Sequence, residues 1–267
     1  KLSPMYSFGT ENLVGRGNVN FTKYSHSSIF SKVKLSLEAE RYNYSEEFQY
    51  NKIVPSITLI FNENNLRSKK ESSIRTSYNV VLKDGEPREE DPNWDGGDHD
   101  LEEEKKFLNI DYSFKNNKTI NPYSFNLSIE RGEDFTKGNL IFNYDYQLNK
   151  DKKINTRFYT GIAKIDAYHR KYNFQMSAWN GSMDYSLSER TFSRENDGNL
   201  SKQMFIREGG LKHYTFIRSD NFLTSLSLDY NLYKFLSIYA EGGYANGNNF
   251  TESKIAYGSG CIFNFNG

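Results

Sequence analysis

The residues best placed to do chemistry form one acidic run, Asp91-Pro92-Asn93-Trp94-Asp95-Gly96, with Glu102 following it. Oxygen-bearing side chains at alternate positions, a glycine where the backbone turns and a distal carboxylate make up the pattern of a calcium loop. In that pattern Asp91, Asn93, Asp95 and Glu102 supply side-chain oxygens and Gly97 supplies its carbonyl. Against it, Asp98 stands where a helix–loop–helix hand carries an aliphatic residue, Pro92 is unusual in such a loop, and the flanks read as strands. The competing reading is a solvated acidic loop that continues through Asp100, Glu103 and Glu104. Calorimetry with calcium on the intact protein separates the two, and the absence of heat at millimolar metal ends the calcium reading.

No other constellation is as specific. His26, His99, His169 and His213 are scattered, with no pair at a zinc-ligand spacing and no His-Glu-x-x-His. Ser25-His26-Ser27 superficially suggests a hydrolase site, but a polar turn explains it more simply. Cys261 is the single cysteine, so neither an internal disulfide nor a cysteine-based zinc site can be built. No glycine loop has phosphate-cradling spacing; Gly9, Gly15, Gly17, Gly242, Gly243, Gly258 and Gly260 read as strand glycines that permit bending and close approach. The 34 basic and 34 acidic side chains balance, which gives no electrostatic argument for nucleic acid. No catalytic residue is identifiable in this chain.

The elements that carry these residues are strands. Residues 123–130 alternate strictly: Tyr123, Phe125, Leu127 and Ile129 on one face, Ser124, Asn126, Ser128 and Glu130 on the other. Residues 222–230 and 236–244 repeat the pattern, as do 33–40, 53–62, 108–114, 140–148, 172–178 and 257–266. A period of two sends alternate side chains to opposite faces of a sheet. The connections 62–65, 115–118 and 149–152 read as short, whereas 43–47, 85–100, 131–138 and 246–253 read as longer. Their rough alternation predicts an all-β, antiparallel up-and-down transmembrane β-barrel of about 14 strands (range about 12–16) over residues 1–267. A long outer loop is expected at 84–100. Residues 186–202, of mixed charge and without alternation, read either as a loop folded into the lumen, the favoured reading, or as a long disordered connection.

Lipid, not water, is the expected neighbour of the apolar face. No apolar run approaches the length of a spanning helix, and mean hydropathy is −0.78, yet 20 Tyr and 20 Phe are too many for a solvated coil. Lys34, Glu38, Glu40, Asp111, Glu130, Asp145, Arg157 and Asp229 fall on the polar face, where a dry core would not hold them but a hydrated lumen would. Aromatics gather near strand ends, as in Tyr42/Tyr44, Tyr144/Tyr146, Tyr230/Tyr233 and Phe263/Phe265, matching a membrane–water boundary. Few prolines interrupt the pattern; Pro4 and Pro55 fall inside strands. An inward position such as Ser227 is expected to accept a lysine, and outward Leu226 to resist one. These readings imply a bacterial outer membrane as location and the bilayer as partner.

Three stretches carry a family likeness. Pro4-Met5-Tyr6-Ser7-Phe8-Gly9-Thr10 with Asn12-Leu13-Val14-Gly15 resembles the barrel of envelope-located bacterial gluzincins, the aminopeptidase N-like metallopeptidases. Ala178-Trp179-Asn180-Gly181-Ser182-Met183-Asp184-Tyr185 and Gln203-Met204-Phe205-Ile206-Arg207-Glu208-Gly209-Gly210 resemble further parts of it. The resemblance implies a zinc peptidase domain followed by a C-terminal outer-membrane barrel, with strand sequence beyond both ends of this chain. Zinc would then belong only to a domain absent here, since this chain lacks the His-Glu-x-x-His. The expected function is a membrane anchor or scaffold for such a domain, in contact with other outer-membrane or periplasmic proteins. The alternatives are a passive pore, or a structural subunit of a larger envelope complex. Lys1-Leu2-Ser3-Pro4 opens directly onto strand-like sequence, as a mature or trimmed chain would.

Overall fold

Every extended segment must find neighbours for its amides and carbonyls, and here each wall strand finds them in its sequence neighbours. The computed structural model describes residues 2–7, 12–25, 29–43, 49–61, 69–84, 104–149, 152–166, 172–177, 179–180, 185–186, 205–206, 208–213, 215, 217–233, 235–247 and 253–263. These form strands β1 (Leu2–Ser7), β2 (Asn12–Tyr24), β3 (Phe30–Asn43), β4 (Gln49–Phe61), β5 (Lys70–Asp84), β6 (Glu104–Asn116), β7 (Tyr123–Gly132), β8 (Phe135–Gln147) and β9 (Lys153–Ile165). After four two-residue strands, β10 (Phe174–Gln175), β11 (Trp179–Asn180), β12 (Phe205–Ile206) and β13 (Arg218–Ser219), come β14 (Phe222–Tyr233), β15 (Leu236–Asn246) and β16 (Lys254–Phe263).

Twelve of these strands make one antiparallel sheet in the order β1-β2-β3-β4-β5-β6-β7-β8-β9-β14-β15-β16. The all-β antiparallel meander expected from the alternation is therefore present, with twelve strands in one sheet among the described residues. Two segments depart from expectation. Residues 131–138 hold a tight turn at Glu133 and Asp134 between β7 and β8, not a longer connection. Residues 172–178 alternate as a wall strand would, yet β10 pairs with β13 outside the main sheet. There, 172–177 are buried on both faces, so the alternation no longer separates inside from outside.

The two faces of the sheet have inverted polarity. On β14, Ser225 and Ser227 are 3% and 5% exposed, while Leu226 and Leu228 are 44% and 39% exposed. The same holds elsewhere: Ser36, Ser56, Ser77 and Ser128 are buried, and Leu35, Leu37, Ile53, Ile57, Leu127 and Ile129 are exposed. All eight charged residues assigned to the polar face share it with these serines by register. Arg16 bridges Glu38 at 2.8 Å and Glu40 at 2.5 Å, and Arg75 reaches across β4 to Glu38 at 3.4 Å. Pro55 sits on the outward face, and the β4–β5 ladder skips Val54 and Pro55, where a proline supplies no donor.

Aromatic rings line the outward face at the short-turn end. Phe30 and Phe61 lie 5.2 Å apart, Phe61 and Tyr112 6.4 Å, Tyr112 and Phe125 5.5 Å, and the row runs on through Phe114, Tyr123, Phe142, Tyr144 and Tyr146. The turn before β7 uses Asn121 in the left-handed region (φ 53°), and its Oδ1 accepts the Gln147 N–H at 2.8 Å.

Neighbouring residues on β7 test the two faces at one depth. Leu127→Lys is expected to destabilise the folded protein in lipid vesicles by about 2–4 kcal/mol, with Asn126→Lys close to neutral. Denaturant titration of the vesicle-inserted protein measures both, and equal sensitivity would reverse the facial assignment.

Candidate functional site: an insertion against the inner face

The meander is interrupted once, between β9 and β14, and the described parts of that connection lie against the polar face of the sheet. Two apolar clusters hold them. Phe174, Met176 and Leu211 from the insertion pack with Tyr159, Leu223, Ala245 and Ala256 of the wall. Tyr172, with Tyr185 against it, packs with Val81, Phe107, Phe135 and Ile165. The seven buried wall residues of these clusters besides Tyr159 all lie toward the strand ends at which the insertion leaves and re-enters the sheet. Phe135 and Tyr172 stack with centroids 4.2 Å apart, and Tyr159 meets Phe174 edge-on at 6.2 Å.

Wall glycines make room for the inserted side chains. A Cβ at Gly161 would collide with the Phe174 ring, one at Gly243 with the Met176 thioether and one at Gly258 with the His213 ring. Close approach, expected of Gly243 and Gly258, is thus approach by the protein's own insertion. Gly210 adds a different need: its φ is +77°, and the Arg157 guanidinium lies where its side chain would be.

Charged wall residues receive the insertion's backbone. Glu241, with a fully buried side chain, accepts the Lys212 N–H at 2.8 and 2.9 Å, the His213 N–H at 3.0 Å and a bond with His213 Nδ1 at 2.7 Å. Lys212 Nζ donates to Asp229 at 2.7 Å and Ser227 at 2.9 Å. Arg157 donates to the Gly209 and Glu208 carbonyls at 2.6 and 2.7 Å, and the Ser225 hydroxyl also donates to Gly209. Lys137, only 3% exposed in its side chain, pairs with Glu208 at 3.1 Å and faces the Phe174 and Tyr185 rings at 4.6 and 5.1 Å. Glu208 also accepts the Gln175 N–H at 2.6 Å, and Tyr185 donates to Glu130.

Chemically this is a docking surface. Ser227 beside Lys212 has the composition of a nucleophile–base pair, but an amine donating to Asp229 and lying 3.9 Å from Glu241 is a structural tie. The same contact corrects the expectation for Ser227: its position lies under Lys212 and has no room for a lysine.

The candidate calcium ligands Asp91, Asn93, Asp95, Gly97 and Glu102 lie outside the described residues, as do 84–100 beyond Asp84 and 186–202 beyond Ser186. The docking of 172–177 was missed in sequence, where that stretch reads as a wall strand. The described residues that dock are 172–177, 208–213, 215 and 217–219, and their signal was the apolar residues Tyr159, Ala163 and Ile165 on the face of β9 that should be polar.

No family model and no curated protein matches the chain. Among solved structures, one similar chain is the NanC porin in a rhombohedral crystal form, at a TM-score of 0.32 and 8% identity, covering 97% of this chain and 97% of that one. A likeness that loose carries no argument about this chain, and the interpretation below rests on the geometry.

Burial pushes the Glu208 carboxyl above the usual carboxylate range, against the opposing pull of Lys137 and the Gln175 N–H. The docked insertion therefore binds a proton more tightly than a released one does. Docking is strongest below the ordinary glutamate value of about 4.3 and weakens as pH climbs from there through the raised value. Limited proteolysis across this range is expected to show protection of 172–219 falling with pH in the wild type and a flatter profile in Glu208→Gln. Identical profiles would remove Glu208 from the latch.

Proposed function

We propose that this chain is a transmembrane β-barrel of a bacterial outer membrane, with its own insertion occupying the lumen. It acts as a membrane anchor or scaffold and not as an open pore. The observation that carries the reading is the inverted polarity of the sheet: aliphatic residues exposed on one face, serines and ion pairs buried on the other. A water-soluble sheet would turn these faces round, because exposed apolar patches of this extent drive association. Hydrocarbon on the outer side removes that cost.

The open edges support closure. With twelve strands in an antiparallel meander, β16 runs opposite to β1, so their pairing would continue the same ladder and leave no edge. Unpaired edges are not tolerated in hydrocarbon. The aromatic row supports a membrane boundary at the short-turn end, which corresponds to the periplasmic side of known barrels. The resemblance to gluzincins supplies the anchored partner, a zinc peptidase domain on the same polypeptide.

Planar-bilayer recording distinguishes anchor from pore. The wild-type protein is expected to be nearly silent, and Gly243→Leu, which evicts Met176, is expected to open a steady ionic current. A wild-type conductance as large as that of the variant would favour the passive pore. Mass measurement of the native polypeptide checks for the peptidase domain.

A further inference from the structure

We propose that the short-turn rim of the sheet, just beyond the aromatic row, binds the headgroups of anionic phospholipids. This rests on the membrane reading above.

The balanced net charge conceals a separation between the two ends of the strands. At the short-turn end, the connections 62–69, 117–122, 148–152 and 234–235 carry Arg67, Lys69, Lys118, Lys150, Lys152 and Lys234 against only Glu63 and Asp151. The connection 25–29 adds no acidic or basic residue besides His26. At the opposite end, the connections 8–11, 44–48, 85–103, 133–134 and 247–253 hold fifteen acidic residues and one basic residue. A leaflet rich in anionic phosphate is therefore attracted at one boundary and repelled at the other.

Strand residues carry the basic set onto the lipid side. Lys23 pairs with Val33 on the outward face. Lys70 pairs with Asn116, Asn116 with Tyr123 and Tyr123 with Tyr144, so Lys70 stands at the level of the aromatic row. Lys23, Lys69, Lys70, Lys118 and Lys152 are all exposed. Neighbouring turns are tied together: Lys69 Nζ donates to Thr119 at 2.8 Å, the Asn117 N–H to the Lys69 carbonyl at 2.8 Å and the Asp145 N–H to the Pro122 carbonyl at 3.0 Å. The described carboxylates nearest this end lie on the inward face with cations of their own. Glu71 pairs in register with Lys115, Asp145 lies 3.8 Å from Lys153, and Asp229 receives Lys212 at 2.7 Å.

Apolar side chains in the same turns select lipid over a dissolved anion. Ile29, Ile120, Leu148 and Phe235 are exposed, with Ile120 two residues from Lys118 and Phe235 beside Lys234. A soluble acidic partner would meet the lysines and leave these side chains in water. At a bilayer surface the apolar groups enter the acyl boundary, while lysine stems reach along it to place their ammonium groups at the phosphates. Each lysine so placed strengthens binding about fivefold.

Native mass spectrometry in mild detergent, with equal amounts of phosphatidylglycerol and phosphatidylcholine of matched chains, tests the site. The wild type is expected to retain phosphatidylglycerol about tenfold over phosphatidylcholine, less so as ionic strength rises. The triple variant Lys70→Gln, Lys118→Gln, Lys152→Gln is expected to bring the two lipids to within about twofold, and the corresponding triple arginine variant to keep the preference. Equal retention of both lipids by the wild type overturns the proposal, as does an unchanged preference in the glutamine variant. Capture of soluble polyglutamate in place of phosphatidylglycerol overturns it in favour of a dissolved acidic partner. The heat-dependent gel shift of vesicle-folded protein, measured alongside, separates the two failures: present, it leaves the barrel standing without the headgroup site; absent, it removes both.

Discussion

A polar backbone in a strand has no spare partner of its own, and the constraint tightens when one face of the sheet meets an apolar medium. Each wall strand from β2 to β15 answers by pairing on both sides with antiparallel neighbours. The side chains are then free to be sorted by face alone. The sorting holds over most of β3, β4, β6, β7, β8 and β14, where branched aliphatics and aromatics point outward and Ser, Asn and charged residues point inward, apart from the inward Val54, Ile60, Phe107, Phe135, Ile141 and Leu223. In the proposed barrel both results have one cause: hydrocarbon solvates neither amides nor charges, so both are turned to the lumen or to each other.

An inward face made of hydroxyls and charges creates a second demand. Buried polar groups cost free energy unless they are bonded, and a lumen can meet that demand with water or with protein. Here protein meets much of it. Glu241 and Arg157 bond to the insertion's main chain, and Lys137 and Asp229 bond to its charged side chains at Glu208 and Lys212. The apolar contacts at Phe174, Met176 and Leu211 add burial that water could not supply. Charged residues that seem misplaced in a sheet are, on this view, the reciprocal half of a docking interface.

The same arrangement explains what could be read from sequence. Alternation was clear wherever the inward residue was polar, as in Tyr123–Gly132 and Phe222–Tyr233, and those strands lie where they were expected. It was blurred in Lys153–Ile165, because Tyr159, Ala163 and Ile165 are apolar on both counts: they face inward and touch the insertion. Residues 172–178 misled in the opposite sense. Tyr172, Phe174 and Met176 alternate with Asn173, Gln175 and Ser177, but each set is buried against different neighbours, so a period of two persists without a membrane-facing side. Periodicity reports that two faces differ and says nothing of what covers them. The docking geometry at Glu208 and Glu241 depends on partners distant in sequence, and no local pattern marks it.

The inward apolar residues also set a direction. Val81, Phe107, Phe135, Ile165, Leu223, Ala245 and Ala256, the buried wall residues that meet the insertion besides Tyr159, all stand near one set of strand ends. The insertion leaves and re-enters the wall at that same end, between Ile165 and Phe222, so its docking site lies within short reach of its two attachment points. Ordering a long segment is costly in conformational entropy, and anchoring it near both ends keeps the loops to be closed short. The end at which the insertion joins the wall is thus also the end at which its buried apolar contacts with the wall are gathered.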